Sequence, residues 1–413
     1  MYVEIGNCRV CGNQNLIPVI HLGKQYLSGV FLNDRNRLET ISNGPLELVK
    51  CHGDDACGLV QLRQSYTPCE MYGDNYGYRS SLNRTMVDHL NGVVRLAMSL
   101  VTLETDDYVV DIGSNDSTLL QAYPQVNINL VGIDPTGGKF KRYYPAHIRL
   151  IPNFFSADTF RKEIGDHKAK IVTSIAMFYD LEDPVGFMRD VYDILADNGV
   201  WICEQSYMPT MLANRSYDTI CHEHLEYYAL AQIKWMADRV GFRVLDVGMN
   251  SINGGSFWVA LSKSDTISHP GADIDALVAS EMRSGLFALE PYHAFARAVK
   301  RSKQELCSFI AQANSAGDVI CGLGASTKGN TILQYCNITE TELPCIGEIN
   351  DDKYGCFTPG TGIPIVSEQE MLDMKPDYLL ILPWHFRSFF ESNSAYAGNA
   401  LVFPLPSLIV RAV

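Results

Sequence analysis

Several common features are missing from this chain of 413 residues, and each absence excludes a class of protein. No apolar run reaches the roughly 18 residues that a helix needs to span a bilayer. No run of lysine and arginine is present, and the formal net charge is −14. Binding to a phosphate backbone requires a basic face, so we do not expect a nucleic-acid substrate. The N-terminal Met-Tyr-Val-Glu-Ile-Gly lacks the regions of a signal peptide. We therefore expect a cytoplasmic protein that does not contact a membrane.

The length of the chain and the order of its apolar runs predict three domains. Short apolar runs alternate with helical patterns between residues 108 and 204, which is typical of a doubly wound parallel sheet of the Rossmann type. A second series of this kind, between residues 319 and 403, predicts a smaller Rossmann-like domain. The first 75 residues look irregular apart from two cysteine clusters. We expect an N-terminal module over 1–75, an α/β domain over 76–265 and a second α/β domain over 266–413.

Four of the 12 cysteines stand in two close sets near the N-terminus, Cys8 with Cys11 and Cys51 with Cys57. Two close pairs of thiolates suit a tetrahedral Zn²⁺, and a site whose ligands all come from protein is structural. The second set is more widely spaced than a Cys-x-x-Cys pair, so His52 is an alternative ligand to Cys51. Unligated cytoplasmic thiols are the alternative interpretation, and the spacing favours zinc.

The loop that follows the first predicted strand of the middle domain has features of a cofactor site. Its sequence is Asp-Ile-Gly-Ser-Asn-Asp (111–116), where Gly113 allows a ligand to approach the backbone before a predicted helix. Asp134 ends the next strand, where a carboxylate can accept both hydroxyls of a ribose. NAD would favour Gly-x-Gly-x-x-Gly, but only Gly113 is present. S-adenosylmethionine (SAM) carries an ammonium instead of a phosphate. An unliganded turn is the remaining alternative. The candidate SAM-binding residues are Asp111, Gly113, Ser114, Asn115, Asp116 and Asp134.

The segment Cys-His-Glu-His-Leu-Glu-Tyr-Tyr (221–228) concentrates side chains that can move protons. If it is extended, His222 and His224 lie on one face and Glu223 on the other. Histidine is the side chain best suited to proton abstraction near neutral pH. A metal site and a purely structural role are the alternatives, although no third metal ligand stands at a suitable spacing.

Together these segments resemble the nucleotide-sugar C-methyltransferases, which add a branching methyl group at C3 of 4-keto-deoxysugars. The resemblance extends over almost the whole chain. Further matching segments are Tyr76-Gly-Tyr78-Arg-Ser-Ser, Asn253-Gly-Gly-Ser, Gly322-Leu-Gly-Ala-Ser-Thr-Lys328-Gly-Asn330, Pro359-Gly-Thr and Pro383-Trp384. It implies a class I SAM-methyltransferase domain between a zinc-binding module and a C-terminal Rossmann-like domain that binds substrate.

The same resemblance implies roles for individual residues. His224 would be the general base, supported by Glu223 and His222, and the sugar nucleotide would lie between the middle and C-terminal domains. Tyr78, Tyr179 or His222 could stabilise the enolate oxygen, and all three remain open. Lys328 would help to hold the nucleotide diphosphate. The substrate-binding candidates are Tyr76, Tyr179, Lys328, Asn330 and Trp384. The oligomeric state, monomer or dimer, also remains open.

Three positions depart from the family pattern. Cys221 stands where a tyrosine is common, residues 176–180 replace a run that often carries Asn and His, and Ser117 replaces a glycine. We therefore expect the sugar and the oxyanion-stabilising group to differ from those of characterised members. The alternatives are a SAM-dependent methyltransferase with another small-molecule acceptor, an NAD-dependent sugar-nucleotide oxidoreductase, a zinc-containing nucleic-acid methyltransferase and a non-catalytic sugar-nucleotide-binding protein. The missing dinucleotide fingerprint opposes the second, and the acidity of the chain opposes the third.

Overall fold

The computed structural model describes residues 2–72, 78–124, 127–263, 267 and 271–412. Tyr76 therefore lies outside the described residues. Four β-sheets organise these parts of the chain: two in the N-terminal module, one in the middle domain and one in the C-terminal domain. Among the described residues, no helix combines the length and the apolar character needed to cross a membrane.

The N-terminal module is built on a long antiparallel hairpin, so the expectation of an irregular segment was wrong. Pro18 and Gly23 interrupt the apolar pattern of the first hairpin strand, and the pairing shifts register near both residues. Leu16 pairs with Cys51, which brings the two cysteine sets to the same end of the hairpin. The elements are β1 (Tyr2–Glu4), β2 (Leu16–Tyr26), β3 (Asn43–Cys51), β4 (Val60–Leu62), β5 (Gln64–Tyr66) and α1 (Pro68–Met71).

The middle domain contains a seven-stranded sheet covered by helices. Its elements are α2 (Arg84–Leu100), β6 (Tyr108–Ile112), β7 (Asn129–Ile133), α3 (Gly137–Phe140), β8 (Ile148–Ile151), α4 (Ala157–Ile164), β9 (Ala169–Ile175), α5 (Pro184–Ile194), β10 (Leu195–Ser206), α6 (Met208–Asn214), β11 (Glu226–Tyr227), α7 (Leu230–Val240), β12 (Arg243–Asn250) and β13 (Ser256–Ser262). β11 joins the sheet of the N-terminal module instead.

The strand order of this sheet is β12-β13-β10-β9-β6-β7-β8, and β13 runs antiparallel to both of its neighbours. This arrangement confirms the class I SAM-methyltransferase fold. The predicted strands form because a parallel sheet covered on both faces requires nearly continuous apolar runs. The direction of winding reverses between β6 and β9, so the loops after these strands meet at the carboxyl edge of the sheet.

The C-terminal domain is a second doubly wound unit. Its elements are α8 (Ile274–Arg283), α9 (Glu290–Ala316), β14 (Ile320–Leu323), α10 (Thr327–Cys336), β15 (Ile346–Glu348), β16 (Ile365–Ser367), α11 (Glu368–Asp373), β17 (Tyr378–Ile381), α12 (Arg387–Ser392), β18 (Ala400–Phe403) and β19 (Ile409–Ala412). The helices α8 and α9 are separate, and Gly285 between them has a left-handed φ of 82°.

The six strands of this domain follow the order β16-β15-β14-β17-β18-β19, with β19 antiparallel at the edge. The direction of winding reverses between β14 and β17. A side chain on Gly324, after β14, would come within 2.7 Å of Pro383, after β17. Lys328 lies in the first turn of α10, just after the first loop, and Trp384 follows Pro383 in the second, so the fold brings these two predicted substrate residues to the same edge of the sheet.

Candidate active site and zinc cluster

The four predicted cysteine ligands form one compact cluster. The sulfur atoms of Cys8 and Cys57 lie 3.6 Å apart, those of Cys11 and Cys51 lie 3.4 Å apart, and all four lie within 4.8 Å of one another. Four sulfurs at about 2.3 Å from a tetrahedral Zn²⁺ would be separated by about 3.8 Å, so the cluster fits this ion. The cluster contains Cys51, and His52 is not part of it.

The zinc cluster is connected to the predicted catalytic segment through the β-sheet of the N-terminal module. β11 pairs antiparallel with β4, placing Glu226 opposite Gln61. The backbone N–H of Leu62 donates to the carbonyl of Leu225 at 2.8 Å. The segment that contains His224 therefore ends as an edge strand of the zinc-binding module.

The carboxyl ends of β6 and β7 bring two buried carboxylates to the predicted SAM loop. Asp111 accepts a hydrogen bond from the Thr173 hydroxyl at 2.6 Å. Asp134 accepts the backbone N–H groups of Asn115 at 2.7 Å and Thr136 at 2.6 Å. Burial raises the pKa of Asp111 to about 7, and the charge of Asp134 acts in the same direction. The pKa is high because nothing cationic offsets the desolvation of this carboxyl group.

The chemistry of this edge suits SAM better than a dinucleotide. Two carboxylates at adjacent strand ends attract an ammonium and accept ribose hydroxyls, but they repel a pyrophosphate. Gly113 has a left-handed φ of 75°, and a Cβ atom there would lie 3.1 Å from Cγ of Met177 in the loop after β9. Gly113 thus keeps space between the two loops that flank the crevice.

The loop after β6 does not open a helix, so that prediction was wrong. Asn115 and Ser117 adopt left-handed backbone conformations, with φ of 49° and 64°. The side chains of Asn115 and Asp116 accept the backbone N–H groups of Ser80 and Ser81, each at 3.0 Å. These side chains hold the lead-in segment over the loop. The amide of Asn115 also donates to the carbonyl of Tyr78 at 3.2 Å, and the Tyr78 side chain is 47% exposed.

The remaining predicted loop residue, Ser114, lies 2.8 Å from the hydroxyl of Tyr144, which in turn donates to the carbonyl of Asn115. Of the six predicted cofactor residues, Asp111 and Asp134 lie at the carboxyl ends of neighbouring strands, and Gly113 adjoins the loop after β9. Ser114, Asn115 and Asp116 hold this loop through hydrogen bonds to Tyr144 and to the lead-in segment. Tyr144, Thr173 and Met177 were not predicted, because their contribution depends on how the strands are ordered in the sheet.

The predicted catalytic segment is not extended. An extended chain was the condition for His222 and His224 to lie on one face. A 3-10 turn covers Tyr217–Thr219 and another turn includes residues 222 and 223. As a result His222 and His224 point to different places. The ring of His222 is fully buried in the N-terminal module, edge-on to Tyr66 with 4.6 Å between centroids. Burial lowers the pKa of His222 to about 4, and hydrogen bonding to the backbone of Gln25 and Gly44 acts in the opposite direction.

His224 occupies the junction of the middle and C-terminal domains. Its Nδ1 lies 2.8 Å from the carbonyl of Thr219. A carbonyl can only accept, so Nδ1 carries the proton and Nε2 keeps a free lone pair. The ring packs edge-on against Tyr179, with 4.4 Å between centroids. Burial lowers the pKa of His224 to about 4, and the charge of Lys328 adds to this effect. The imidazole is therefore neutral at physiological pH.

Glu223 lies apart from His224, beside a second buried carboxyl group. Burial raises the pKa of both Glu223 and Asp180, and the charge of Glu223 raises that of Asp180 further. One oxygen of each group is buried without a hydrogen-bond partner. The other oxygen of Asp180 accepts the hydroxyl of Tyr72 at 2.8 Å. Asp180 belongs to the run 176–180 that departs from the family pattern, and no sequence motif predicts that it lies beside Glu223.

The predicted residues of the C-terminal domain separate into two groups. The ammonium of Lys328 donates to the carbonyl of Asn253 at 2.6 Å, and the indole of Trp384 donates to Asp218 at 2.8 Å. Both contacts join this domain to the middle domain. Asn330 is fully buried and donates to the carbonyl of Ser28 at 2.7 Å, which ties α10 to the N-terminal module.

Comparison with protein families agrees with this architecture. A model described as the C-methyltransferase C-terminal domain matches residues 251–406, a methyltransferase domain matches 87–247, and a zinc binding domain matches 8–72. The C-methyltransferase NovU of Streptomyces niveus is 27% identical over 406 residues, covering 97% of this chain and 96% of NovU.

Solved structures are more distant. The plantazolicin methyltransferase BpumL matches 42% of this chain and 82% of its own, at 10% identity and a TM-score of 0.35. YcgJ of Bacillus subtilis matches 40% of this chain and 73% of its own, at 15% identity and a TM-score of 0.31.

The fold and the matched domains define a zinc-binding, SAM-dependent methyltransferase. More particularly, the chain matches a zinc binding domain, a methyltransferase domain and a C-methyltransferase C-terminal domain, in that order.

Proposed function

We propose that this enzyme transfers a methyl group from SAM to C3 of a nucleotide-linked 4-keto-deoxysugar, with His224 as the general base. The observation that carries the proposal is the state of His224: a neutral imidazole with a free Nε2, held by the Thr219 carbonyl at a domain junction. A C–H group beside a ketone is acidic enough for such a base if the enolate oxygen is stabilised.

Nε2 of His224 removes the proton from the carbon beside the ketone, and the electron pair moves to the carbonyl oxygen. The electron pair then returns, the carbon forms a bond to the methyl carbon, and the bond from that methyl to sulfur breaks as the ketone re-forms. SAM, when bound, supplies the methyl group on a positively charged sulfur. Asp111 and Asp134 would hold its ammonium and ribose, and the protein contributes orientation.

We infer where the sugar nucleotide binds from the two switch points, the places where the winding of a sheet reverses: between β6 and β9 and between β14 and β17. His224 and Tyr179 come from the middle domain, whereas Lys328 and Trp384 come from the switch point of the C-terminal domain. An acceptor bound between these groups would present its reactive carbon to His224. The resemblance to sugar C-methyltransferases and the match to NovU both support a sugar acceptor. Tyr76 and Tyr78 remain proposed contacts from the lead-in segment.

A second candidate is methyl transfer to another small carbon acid. The pairing of Asp180 with Glu223 favours it, because Asp180 lies in the run 176–180, which departs from the family pattern. In that case the base and the cofactor site would be the same, and the acceptor would differ.

The test is a mass-spectrometric assay with the purified protein, SAM and a panel of nucleotide-linked 4-keto-6-deoxysugars. A SAM-dependent gain of one methylene on a sugar supports the proposal, and deuterium at C3 of the substrate should be lost during transfer. If SAM binds but no sugar in the panel is modified, the second candidate is favoured.

A further inference from the structure

A series of contacts connects His224 with polar residues of the C-terminal domain. The carbonyl of Thr219 accepts Nδ1 of His224 at 2.8 Å. The preceding residue, Asp218, accepts the indole N–H of Trp384 at the same distance through Oδ2. Adjacent residues of one short turn therefore hold the proposed base and the loop after β17.

The segment before β13 continues these contacts. Lys328 donates to the carbonyl of Asn253 at 2.6 Å. The next residue, Gly254, lies against His385, because a Cβ atom added there would be 3.7 Å from Cβ of His385. His385 follows Trp384 in the chain, so a continuous series of contacts connects His224 to Lys328, whose charge adds to the effect of burial in lowering the pKa of His224.

Polar groups along this series have unused hydrogen-bonding capacity. Asp218 is fully buried, and the backbone N–H groups of Asp218 and Thr219 lie near its carboxylate. The buried Nδ1 of His385 has no hydrogen-bond partner among the described residues. A lysine ammonium has three N–H donors, and the described residues accept one from Lys328, through Asn253. Buried polar groups are normally satisfied, so these free atoms point to a polar ligand.

The charges around Lys328 identify the kind of ligand. The titratable groups that face its ammonium are Asp218, Cys221, His224 and His385. Asp218 contributes a negative charge close enough to raise the pKa of Lys328 against the effect of burial. A diphosphate placed here would meet that buried carboxylate and be repelled. A neutral ketone would not be repelled, and the negative charge that develops on its oxygen during enolisation would be stabilised by Lys328.

We propose that Lys328 is a catalytic residue that donates a hydrogen bond to the ketone oxygen as it becomes an enolate. This inference depends on the proposed function, and it assigns the oxyanion role to a residue outside the three candidates Tyr78, Tyr179 and His222. The proton on the substrate carbon passes to Nε2 of His224. Its bonding electrons move to the oxygen that Lys328 contacts, and they return to carbon when the bond to the methyl group forms.

The first experiment compares Lys328→Met with the wild type and with a control, Lys300→Met. Lys300 is an exposed residue of α9. Two quantities are measured on a nucleotide-linked 4-keto-6-deoxysugar: SAM-dependent methyl transfer, and deuterium uptake from D₂O at the carbon beside the ketone with S-adenosylhomocysteine in place of SAM. We expect Lys328→Met to lower both kcat and the uptake rate by about 10²–10³-fold. KM for the sugar should change little, and the control should match the wild type.

The outcomes separate the two proposals. A large rise in KM with unchanged kcat and uptake would show that Lys328 holds the diphosphate and would overturn its oxyanion role, while leaving methyl transfer established. Deuterium uptake without methyl transfer in the wild type, lost in Lys328→Met, would support the role of Lys328 and remove the proposed transfer. Lys328→Arg should retain part of the activity, because it keeps the charge.

Discussion

The Nδ1 atom of His224 donates to the backbone carbonyl of Thr219 at 2.8 Å, and this one bond determines which ring nitrogen is basic. Because the carbonyl cannot donate, the free lone pair is on Nε2. A backbone partner also cannot change its charge, so the tautomer is preserved across the pH range in which the enzyme is folded.

Replacement of His224 tests its role as the base. We expect His224→Asn to lower kcat for methyl transfer by about 10²–10⁴-fold, because general-base catalysis is lost. SAM binding, measured by calorimetry, should stay near the wild-type value since the SAM loops are separate from this segment. His293→Asn, at an exposed position of α9, is the matched control and should be fully active. Wild-type turnover in His224→Asn would refute the assignment.

The pH dependence of catalysis should reflect the low pKa of this histidine. Burial lowers the pKa of His224 to about 4, so the basic form predominates well below the usual value of 6.5. We expect kcat/KM to stay level as pH falls from 7.5 to about 5 and to decline only as the pH approaches that pKa. Circular dichroism at each pH controls for unfolding. An acidic limb centred near 6.5 in folded protein would contradict this prediction.

SAM affinity should depend on pH through Asp111. Burial raises the pKa of this carboxyl group to about 7, and an ammonium beside it favours the ionised form. The affinity should therefore rise by about tenfold between pH 5.5 and pH 7. At pH 7 a smaller fraction of Asp111 is protonated and has to lose its proton when SAM binds. Isothermal titration calorimetry in buffers of different ionisation enthalpy would detect the released proton. Asp111→Asn should bind more weakly and lose the pH dependence, and a pH-independent wild type would be inconsistent with this role.

Much of this fold could be predicted from the sequence because parallel strands buried on both faces need apolar runs, as in Tyr108–Ile112 and Tyr378–Ile381. The hairpin of the zinc-binding module was missed since Pro18 and Gly23 break its alternation. The sequence predicts a helix after β6, but Asn115 and Ser117 adopt left-handed conformations there. These conformations depend on contacts with Ser80 and Ser81, which are distant in the sequence.

The site was less predictable than the fold. The His-Glu-His triplet identified His224, but a turn within it sends His222 into the N-terminal module. Asp218 stands shortly before the segment 221–228 and is not among the predicted site residues. Its pairing with Trp384 joins residues 166 positions apart, which no local pattern reveals.

Removal of zinc should disable catalysis although the metal lies outside the active site. β11 continues directly from the His224 segment and pairs with β4 of the zinc-binding module. Loss of the metal frees four thiolates and should destabilise the module by about 4 kcal/mol or more. We expect Cys11→Ser to lose bound zinc, unfold at lower temperature and lose methyl transfer, as measured by elemental analysis, calorimetry and activity. Cys356→Ser, in the C-terminal domain, is the control. Full activity in zinc-free protein would contradict the link.

His222 should make the stability of the protein sensitive to acid. Burial lowers its pKa in the folded state to about 4, below the unfolded value of 6.5. A depressed folded pKa gives stability that is present above pH 6.5 and is lost as the pH falls towards 4, because the unfolded chain binds the proton more readily. The full effect is about 3 kcal/mol. Chemical denaturation at pH 7.5 and pH 5 should show a smaller difference for His222→Leu than for the wild type. Equal differences would show that His222 is protonated in the folded protein at pH 5 or that other groups dominate the titration.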